Sequence, residues 1–382
     1  MHALWSSLVD ALATHAVLPL LAIAHLDRLA GDPREIAAAL LIALVQVLVI
    51  GGVLRPLESL VPAEKWPHRR LVRIDRTYTL VMLFGLNPLF AYLVLTPFAN
   101  AFGGADTGGP SGLALWVPWL QHHPYALFGV YYVLYDFTYY WMHRTQHLIP
   151  WWWALHSLHH SQRQMNCWTN DRGSYVDGFL QSMVLATVGL AVGIEPDEFA
   201  LLMFIGELVQ NLSHANVRLG FGRVFGRVFV DPHFHRLHHM RVDPERPRLH
   251  DCNYGQVLSV WDVLFGTALY GEPPRPTGVG DPMVDIDNER GLVAMQWGAV
   301  RRFWGALWTP AGWRPGDVAF GADGVPQPTT HLDLHRFAPM PVEPSTDVSP
   351  AVTDARLAPI DSAYDARRRR AAGEAVAPPG VA

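Results

Sequence analysis

Four apolar runs dominate the first 142 residues: Leu4–His25, Glu35–Val53, Thr77–Ala99 and Ala126–Met142. A membrane-spanning helix needs about 20 predominantly apolar residues. The first three runs meet that length; the fourth is marginal, with Tyr and Trp thickening its ends. The first run lacks a basic start and a small-residue cleavage site, so it reads as a retained helix rather than a signal peptide. Two further runs, Asp177–Val192 and Phe199–Leu212, flank Gly193, Ile194, Glu195, Pro196 and Asp197. Glycine and proline between two apolar segments predict a helical hairpin, whose arms are short enough to enter a bilayer only in part. A Trp-rich amphipathic stretch, Val293–Trp308, reads as a helix lying along a membrane surface. From Pro339 the chain is rich in Pro, Ala, Asp and Ser, a composition that predicts disorder, and the arginine run at 367–370 reads as part of a solvated tail.

Loop charge orients these segments. Arg55, Lys65, Arg69, Arg70, Arg73 and Arg76 lie between the second and third runs, and the positive-inside rule makes that loop cytoplasmic. Counting spans from it puts the N-terminus inside and returns the chain to the cytoplasm at His143, and after the hairpin near His214. Composition agrees with a membrane setting: 50% of residues are hydrophobic and 16% charged, against about a quarter charged in soluble domains. The net charge of -5 comes with no basic surface that would suit nucleic acid. Cys167 and Cys252 are the only cysteines; they form neither a disulfide framework nor a CxxC metal site. Lys65 is the only lysine among many arginines, which points to a GC-rich bacterial genome and hence to an inner membrane.

The 19 histidines change the picture most, because they cluster. His143 and His147 stand at i and i+4; His156, His159 and His160 at i, i+3 and i+4; His235, His238 and His239 repeat the second spacing. On a helix each set lies on one face. Neutral imidazole suits Zn, Fe, Cu and Ni, and eight histidines are too many for one ion, so two metals sharing them is the economical arrangement. Every cluster falls on one side of the membrane under the topology above. A lone histidine is more often a hydrogen-bonded core residue; three ordered clusters, two with identical spacing, are hard to explain that way. His214, at the inner end of the hairpin, is a candidate ninth ligand. His233 and His250 flank the third cluster and read equally as ligands, as groups supporting the ligands or as ordinary loop residues. His122 and His123 fall on the opposite face, and His331 and His335 in tail-like sequence; all four read as ordinary polar residues. Asp136, Tyr140, His143 and His147 form one helical stripe, so Asp136 is expected to accept the free N–H of a ligating imidazole and fix its tautomer.

In these motifs the chain resembles the fatty acid hydroxylase/sterol desaturase superfamily: HxxxH, HxxHH, a membrane hairpin, then a second HxxHH. The run Asp251, Cys252, Asn253, Tyr254, Gly255 and the run Trp261–Thr267 resemble the end of that family's domain, and the lead-in from Asp136 through Tyr140 to His143 also fits. The resemblance covers about residues 75–271. The short gap between His147 and His156 separates it from the acyl-CoA desaturases, and Gln210 with His214 looks like the alkylglycerol monooxygenase and sterol desaturase subgroups. The resemblance implies an all-α, integral-membrane helical bundle with a cytoplasmic histidine-rich di-metal cap. It further implies two iron ions, O2 as co-substrate, a lipid substrate and Asp136 and Tyr140 as catalytic groups. The chain shows no cytochrome b5 domain, no iron–sulfur cysteine set and no clear flavin or nicotinamide fingerprint, so the electron donor is expected to be a separate protein. The expected division is residues 1–74 as N-terminal spans and loop, 75–271 as catalytic domain, 272–338 as a surface segment and 339–382 as tail. Trp151, Trp152 and Trp153 are expected as interface anchors. Sterol, alkylglycerol, fatty acyl and carotenoid substrates stay open. So do a membrane zinc transporter or sensor and a catalytically dead scaffold that keeps zinc.

Overall fold

The computed structural model describes residues 2–27, 32–65, 69–102, 112–194, 196–241, 251–273, 275–279, 284 and 291–307, with the short strand pair 319–320 and 326–327. Among the described residues, four helices are long and apolar enough to cross a membrane: α1 (Ala3–Ile23), α2 (Pro33–Leu60), α3 (Arg70–Ala101) and, later in the chain, Tyr175–Val192. Between α3 and that fourth candidate come α4 (Pro124–Leu148) and α5 (Pro150–His160). The fourth candidate is α6 (Tyr175–Val192), followed by α7 (Pro196–His214), α8 (Pro232–His238), α9 (Val260–Leu264) and α10 (Leu292–Ala306). The fourth span by composition is therefore α6 rather than the stretch 126–142. The reason is chemical: α4 is long enough, but it buries Tyr131, Tyr135, Asp136, Tyr139 and Tyr140, and these polar groups lower its hydropathy.

Each of the first three spans contains a wide π-helical turn, and α3 contains two: Ala13–Val17, Ile50–Leu54, Met82–Leu86 and Ala91–Leu95. All four end two residues before a proline, namely Pro19, Pro56, Pro88 and Pro97. Proline has no N–H and its ring crowds the carbonyl one turn earlier; widening the preceding turn keeps the helix running. The outer faces of these spans carry exposed Leu4, Leu20, Ile23, Leu48 and Val53, as a lipid-facing surface requires.

A turn joins the two helices where the glycine and proline predict it. Gly193 ends α6 in the left-handed conformation (φ 80°) and its N–H and that of Ile194 return to Leu190 and Gly189 carbonyls, which glycine adopts without strain. The 292–306 segment is a helix, packed on α5 through Met295 and Ala299, both fully buried. Its other face leaves Val293, Trp297 and Trp304 exposed. That packing corrects the reading of the tryptophans: Trp152 and Trp153 are buried in two core clusters because α5 runs through the middle of the domain. Residues 339–382, with the arginine run, lie outside the described residues, as do His250, His331 and His335.

The spans also brace the interior. Gln46 of α2 donates to Asn211 of α7 at 2.9 Å. Asp75 of α3, fully buried, receives Arg172 Nη1 at 2.9 Å, Asn166 Nδ2 at 2.8 Å, Thr169 Oγ1 at 2.9 Å and a short bond from Gln162 Nε2. A second buried ion pair joins Arg236 of α8 to Glu64. A buried charge is tolerated only when paired and hydrogen-bonded, so these contacts fix the loop 161–174 and α8 relative to the spans.

Candidate metal centre

The helical spacings place three clusters on three helix faces, and the fold turns those faces toward one another. His143 and His147 project from the last turns of α4, His156, His159 and His160 from the end of α5, His235 and His238 from α8 with His239 at its end, and His214 from the end of α7. They converge as two groups whose ring nitrogens lie within 4.8 Å of one another: His143, His147, His156, His160 and His238 in one, His159, His214, His235 and His239 in the other. His160 and His239 stack across the boundary with centroids 4.2 Å apart, so the two groups share a wall. His159 retains 9% exposure, while the other eight retain 4% or less.

Five of the rings are held by a partner on Nδ1. His143 donates to the Tyr254 carbonyl at 2.8 Å, His159 to that of Arg172 at 2.8 Å, His214 to that of Gln210 at 2.8 Å, and His238 to that of Cys252 at 2.7 Å. His156 donates to Asp177 Oδ2 at 2.9 Å. An acceptor on Nδ1 fixes the neutral tautomer that leaves Nε2 as a lone-pair donor. Those Nε2 atoms then face one another: His143 and His238 at 3.0 Å, His214 and His235 at 3.0 Å, His159 and His214 at 3.2 Å. Two neighbouring imidazoles bound to one ion at about 2.0–2.1 Å would be separated by about 3 Å. The Nε2 atoms of His156, His160 and His239 are buried without a hydrogen-bond partner, which is costly unless a ligand meets them. The donor set therefore fits metal ions. Burial, and for most of them the neighbouring imidazoles, push His143, His159, His160, His235, His238 and His239 well below the ordinary value of 6.5, and burial takes His214 to about 4. These seven rings are thus held in the neutral form that ligation requires.

Asp136 and Tyr140 are on the expected stripe and buried, yet their polar atoms turn away from the rings. Asp136 accepts from the N–H groups of Val257 and Leu258 at 3.0 and 3.1 Å and from Trp261 Nε1 at 2.8 Å. Tyr140 meets Thr267 Oγ1 at 2.9 Å. The expected hydrogen bond from a ligating imidazole to Asp136 is replaced by these contacts, because the loop 251–267 packs between Asp136 and the cage. That loop carries the Cys252 and Tyr254 carbonyls that hold His238 and His143. Asp262 closes it by accepting from the N–H groups of Tyr254 and Gly255, both at 2.8 Å, and from Thr267 Oγ1 at 2.6 Å. The two terminal motifs in the sequence thus form one bracket behind two histidines.

The carboxylate that does meet an imidazole is Asp177, at the start of α6. Besides His156 it accepts from Gln146 Nε2 and Trp152 Nε1, each at 2.8 Å. Sequence reasoning passed over it, although an acidic residue opening an apolar helix was the available signal. His122 and His123 are exposed and belong to neither group, and His233 stands outside both.

The fold and this cage define a helical membrane protein with a buried polyhistidine site. Residues 128–267 match the fatty acid hydroxylase family, in keeping with the resemblance to the fatty acid hydroxylase/sterol desaturase superfamily. It is similar to the alkylglycerol monooxygenase of Danio rerio, 30% identical over 59% of this chain and 49% of that protein. It is also similar to an ornithine lipid hydroxylase of Rhizobium tropici, 30% identical over 38% of this chain and 42% of that protein. A Delta(7)-sterol-C5(6)-desaturase of Nicotiana tabacum is 29% identical over 40% of this chain and 52% of that protein. The chain spans about half the length of the curated relatives it matches. No solved structure matches it.

Proposed function

We propose that the chain is an O2-dependent oxidoreductase that hydroxylates or desaturates a lipid at a C–H bond. Two iron ions would be held by the nine histidines, one by His143, His147, His156, His160 and His238, the other by His159, His214, His235 and His239. The observation that carries this reading is the division of nine buried imidazoles into two adjacent groups with a common wall. When bound, two irons would supply the redox chemistry that couples O2 to an unactivated C–H bond. The chain's own contribution is positioning. Backbone carbonyls and Asp177 fix five rings, while burial in α4, α5, α7 and α8 excludes bulk water. A cavity beside His156 and His159 gives a substrate its approach. Asp136 and Tyr140 act on the bracket loop, so we assign them a positioning role.

Electrons would come from a separate donor protein at the histidine face, and the basic residues around the α2–α3 connection favour the cytoplasmic side for that face; the membrane would be a bacterial inner membrane. The catalytic region would run over residues 75–271, with 1–74 supplying the first spans. A zinc transporter would distribute ionisable residues along its spans, whereas these histidines gather at one level. Structural zinc sites are almost always four-coordinate, which the five-histidine group exceeds.

The test is untargeted lipid mass spectrometry on cells producing the chain, beside a His159→Ala control. The expected result is a wild-type-only product heavier by one oxygen or lighter by two hydrogens. Identical profiles in cells supplied with a reductase system and alkylglycerol, sterol and amino-acid lipids would overturn the reading.

A further inference from the structure

The domain that carries the cage has an apolar outer face which neither the cage nor the candidate spans explain. Between α7 and α8 the chain makes a short helix, Gly222–Phe225. Val224 is 72% exposed there and Phe225 64%, and Val228 and Phe229 beyond them are exposed as well. The end of α9 does the same with Val263, Leu264 and Phe265. These two segments are strapped together. Phe229 and Leu258 form a bridge, and Ser259 donates its N–H to the Val228 carbonyl at 3.0 Å and its hydroxyl to that of Gly226 at 3.1 Å. Isolated exposed apolar residues need no explanation, but neighbouring ones in such number mark an interaction surface.

Its position says what covers it. On α4, Val130, Val133, Phe137 and Trp141 follow one another by three or four residues and so share one helix face; Val130, Val133 and Trp141 are exposed. The upper end of that stripe runs into α9: Phe265 packs on Trp141 and Trp261 on Phe137, each with centroids 5.0 Å apart. From the other side, α2 ends at the exposed Leu60. The next residues join the same surface, because Arg218 donates its N–H to the Val61 carbonyl at 2.9 Å and Pro62 bridges Val217. The apolar face therefore continues the outer surfaces of a candidate span and of α4.

Charge gives an independent indication. Arg218, Arg223 and Arg227 are exposed on this face. The acidic residues of the same segments, Asp136, Asp231 and Asp262, are buried and each accepts from backbone N–H groups. The outer charge is thus of one sign. Arg227 lies over the Tyr270 ring at 5.8 Å and Arg144 over that of Trp141 at 5.3 Å. Arginine on an apolar surface lays its stem along it and carries its head to the polar boundary, and Trp and Tyr concentrate at that boundary in membranes. A second copy docked face to face would meet the same patch and set these arginines against their own kind. Anionic lipid satisfies both the apolar side chains and the charge.

We infer that residues 217–229 and 258–265 form a membrane-docking face, sunk into the leaflet on the side of the cage. The apolar side chains lie among the acyl chains, and Arg218, Arg223 and Arg227 meet the phosphates of anionic lipids. The inference goes beyond the lipid-oxidation reading and does not depend on it, since a metal protein of any activity would sit the same way. It also fixes the level of the cage. The bracket loop 251–267 has its outer edge in the bilayer, while its Tyr254 and Cys252 carbonyls hold His143 and His238 on the inner side.

Two measurements on the full chain, in nanodiscs of phosphatidylglycerol and phosphatidylcholine in equal parts, test this. Cys167 and Cys252 are buried, so a fluorophore can be placed at Phe225→Cys or Leu264→Cys, with Leu48→Cys on the outer face of α2 as the reference for acyl-chain contact. A nitroxide on the upper acyl chain should quench both sites as strongly as the reference, and aqueous iodide should quench neither. Strong iodide quenching with no nitroxide effect would place the face in water and overturn the inference. Protection from both quenchers in a particle holding two chains would give the face to a second copy, with the same consequence. The unaltered protein is tested by irradiation with phosphatidylglycerol or phosphatidylcholine bearing an acyl-chain diazirine. Adducts are expected on 222–229 and 258–265, more from phosphatidylglycerol. Arg223→Gln with Arg227→Gln should reduce that excess, by up to about five-fold for each arginine. Adducts confined to the spans would overturn the inference whether or not any variant folds, and equal labelling by the two lipids would overturn the role of the arginines.

Discussion

His156 donates its Nδ1 proton to Asp177 across 2.9 Å, a link between the second histidine cluster and the first turn of a candidate membrane span. Asp177 also takes Gln146 and Trp152, so one carboxylate ties α4, α5 and α6 together at the edge of the cage. Of the five rings held at Nδ1, four rest on backbone carbonyls; His156 alone depends on a side chain.

Asp177→Asn should therefore weaken metal binding without changing the fold. The asparagine amide can present a donor to the His156 N–H, favouring the wrong tautomer, and losing such an orienting partner typically costs 10–100-fold in affinity. Chelator competition followed by metal analysis measures this, with helical content by circular dichroism as the control. Full metal retention under competition would show that Asp177 serves packing alone.

Asp136→Asn should act differently. Its carboxylate holds two backbone N–H groups and Trp261, so the change should cost about 1–3 kcal/mol of stability, seen as a lower Tm in detergent. Metal loss should be smaller than in Asp177→Asn. The opposite ranking would return Asp136 to direct contact with a ligand.

The two histidine groups predict stoichiometry. His239→Ala and His147→Ala, one in each group, should each lower bound metal from about two ions per chain toward about one. His122→Ala should leave it unchanged, since His122 is exposed and outside both groups. Elemental analysis of the purified proteins decides. A variant from either group that keeps both ions would remove that residue from the ligand set.

The metal-free protein should lose stability as pH falls below about 6.5. His143, His159, His160 and His235 have folded-state values well below 6.5, whereas in the unfolded chain they take protons near that value. The stabilisation of the neutral rings is present above the unfolded value and is lost as pH falls, by about 1.4 kcal/mol per pH unit for each ring that stays neutral in the folded state. Melting curves between pH 7.5 and 5 should show a steadily falling Tm. A flat profile would mean that the folded rings protonate freely. Bound metal should suppress the loss until protons displace it.

By itself the sequence determined the helical class, the membrane setting, the turn after Val192 and the three clusters, because each is written in short-range periodicity: 20-residue apolar runs, i/i+3/i+4 spacing, and a Gly–Pro turn. It also singled out His214, since a histidine ending an apolar arm is conspicuous locally. The tertiary structure alone decided how the nine rings divide, grouping His159 with His214, His235 and His239 rather than with His156 and His160 beside it in the chain. The 100° step between successive helical residues turns adjacent side chains to different neighbours. It likewise moved the orienting carboxylate from Asp136, on the same helix as His143, to Asp177, 21 residues beyond His156. Which acceptor meets a buried N–H depends on how loops pack behind the helices, and no periodicity along one helix records that.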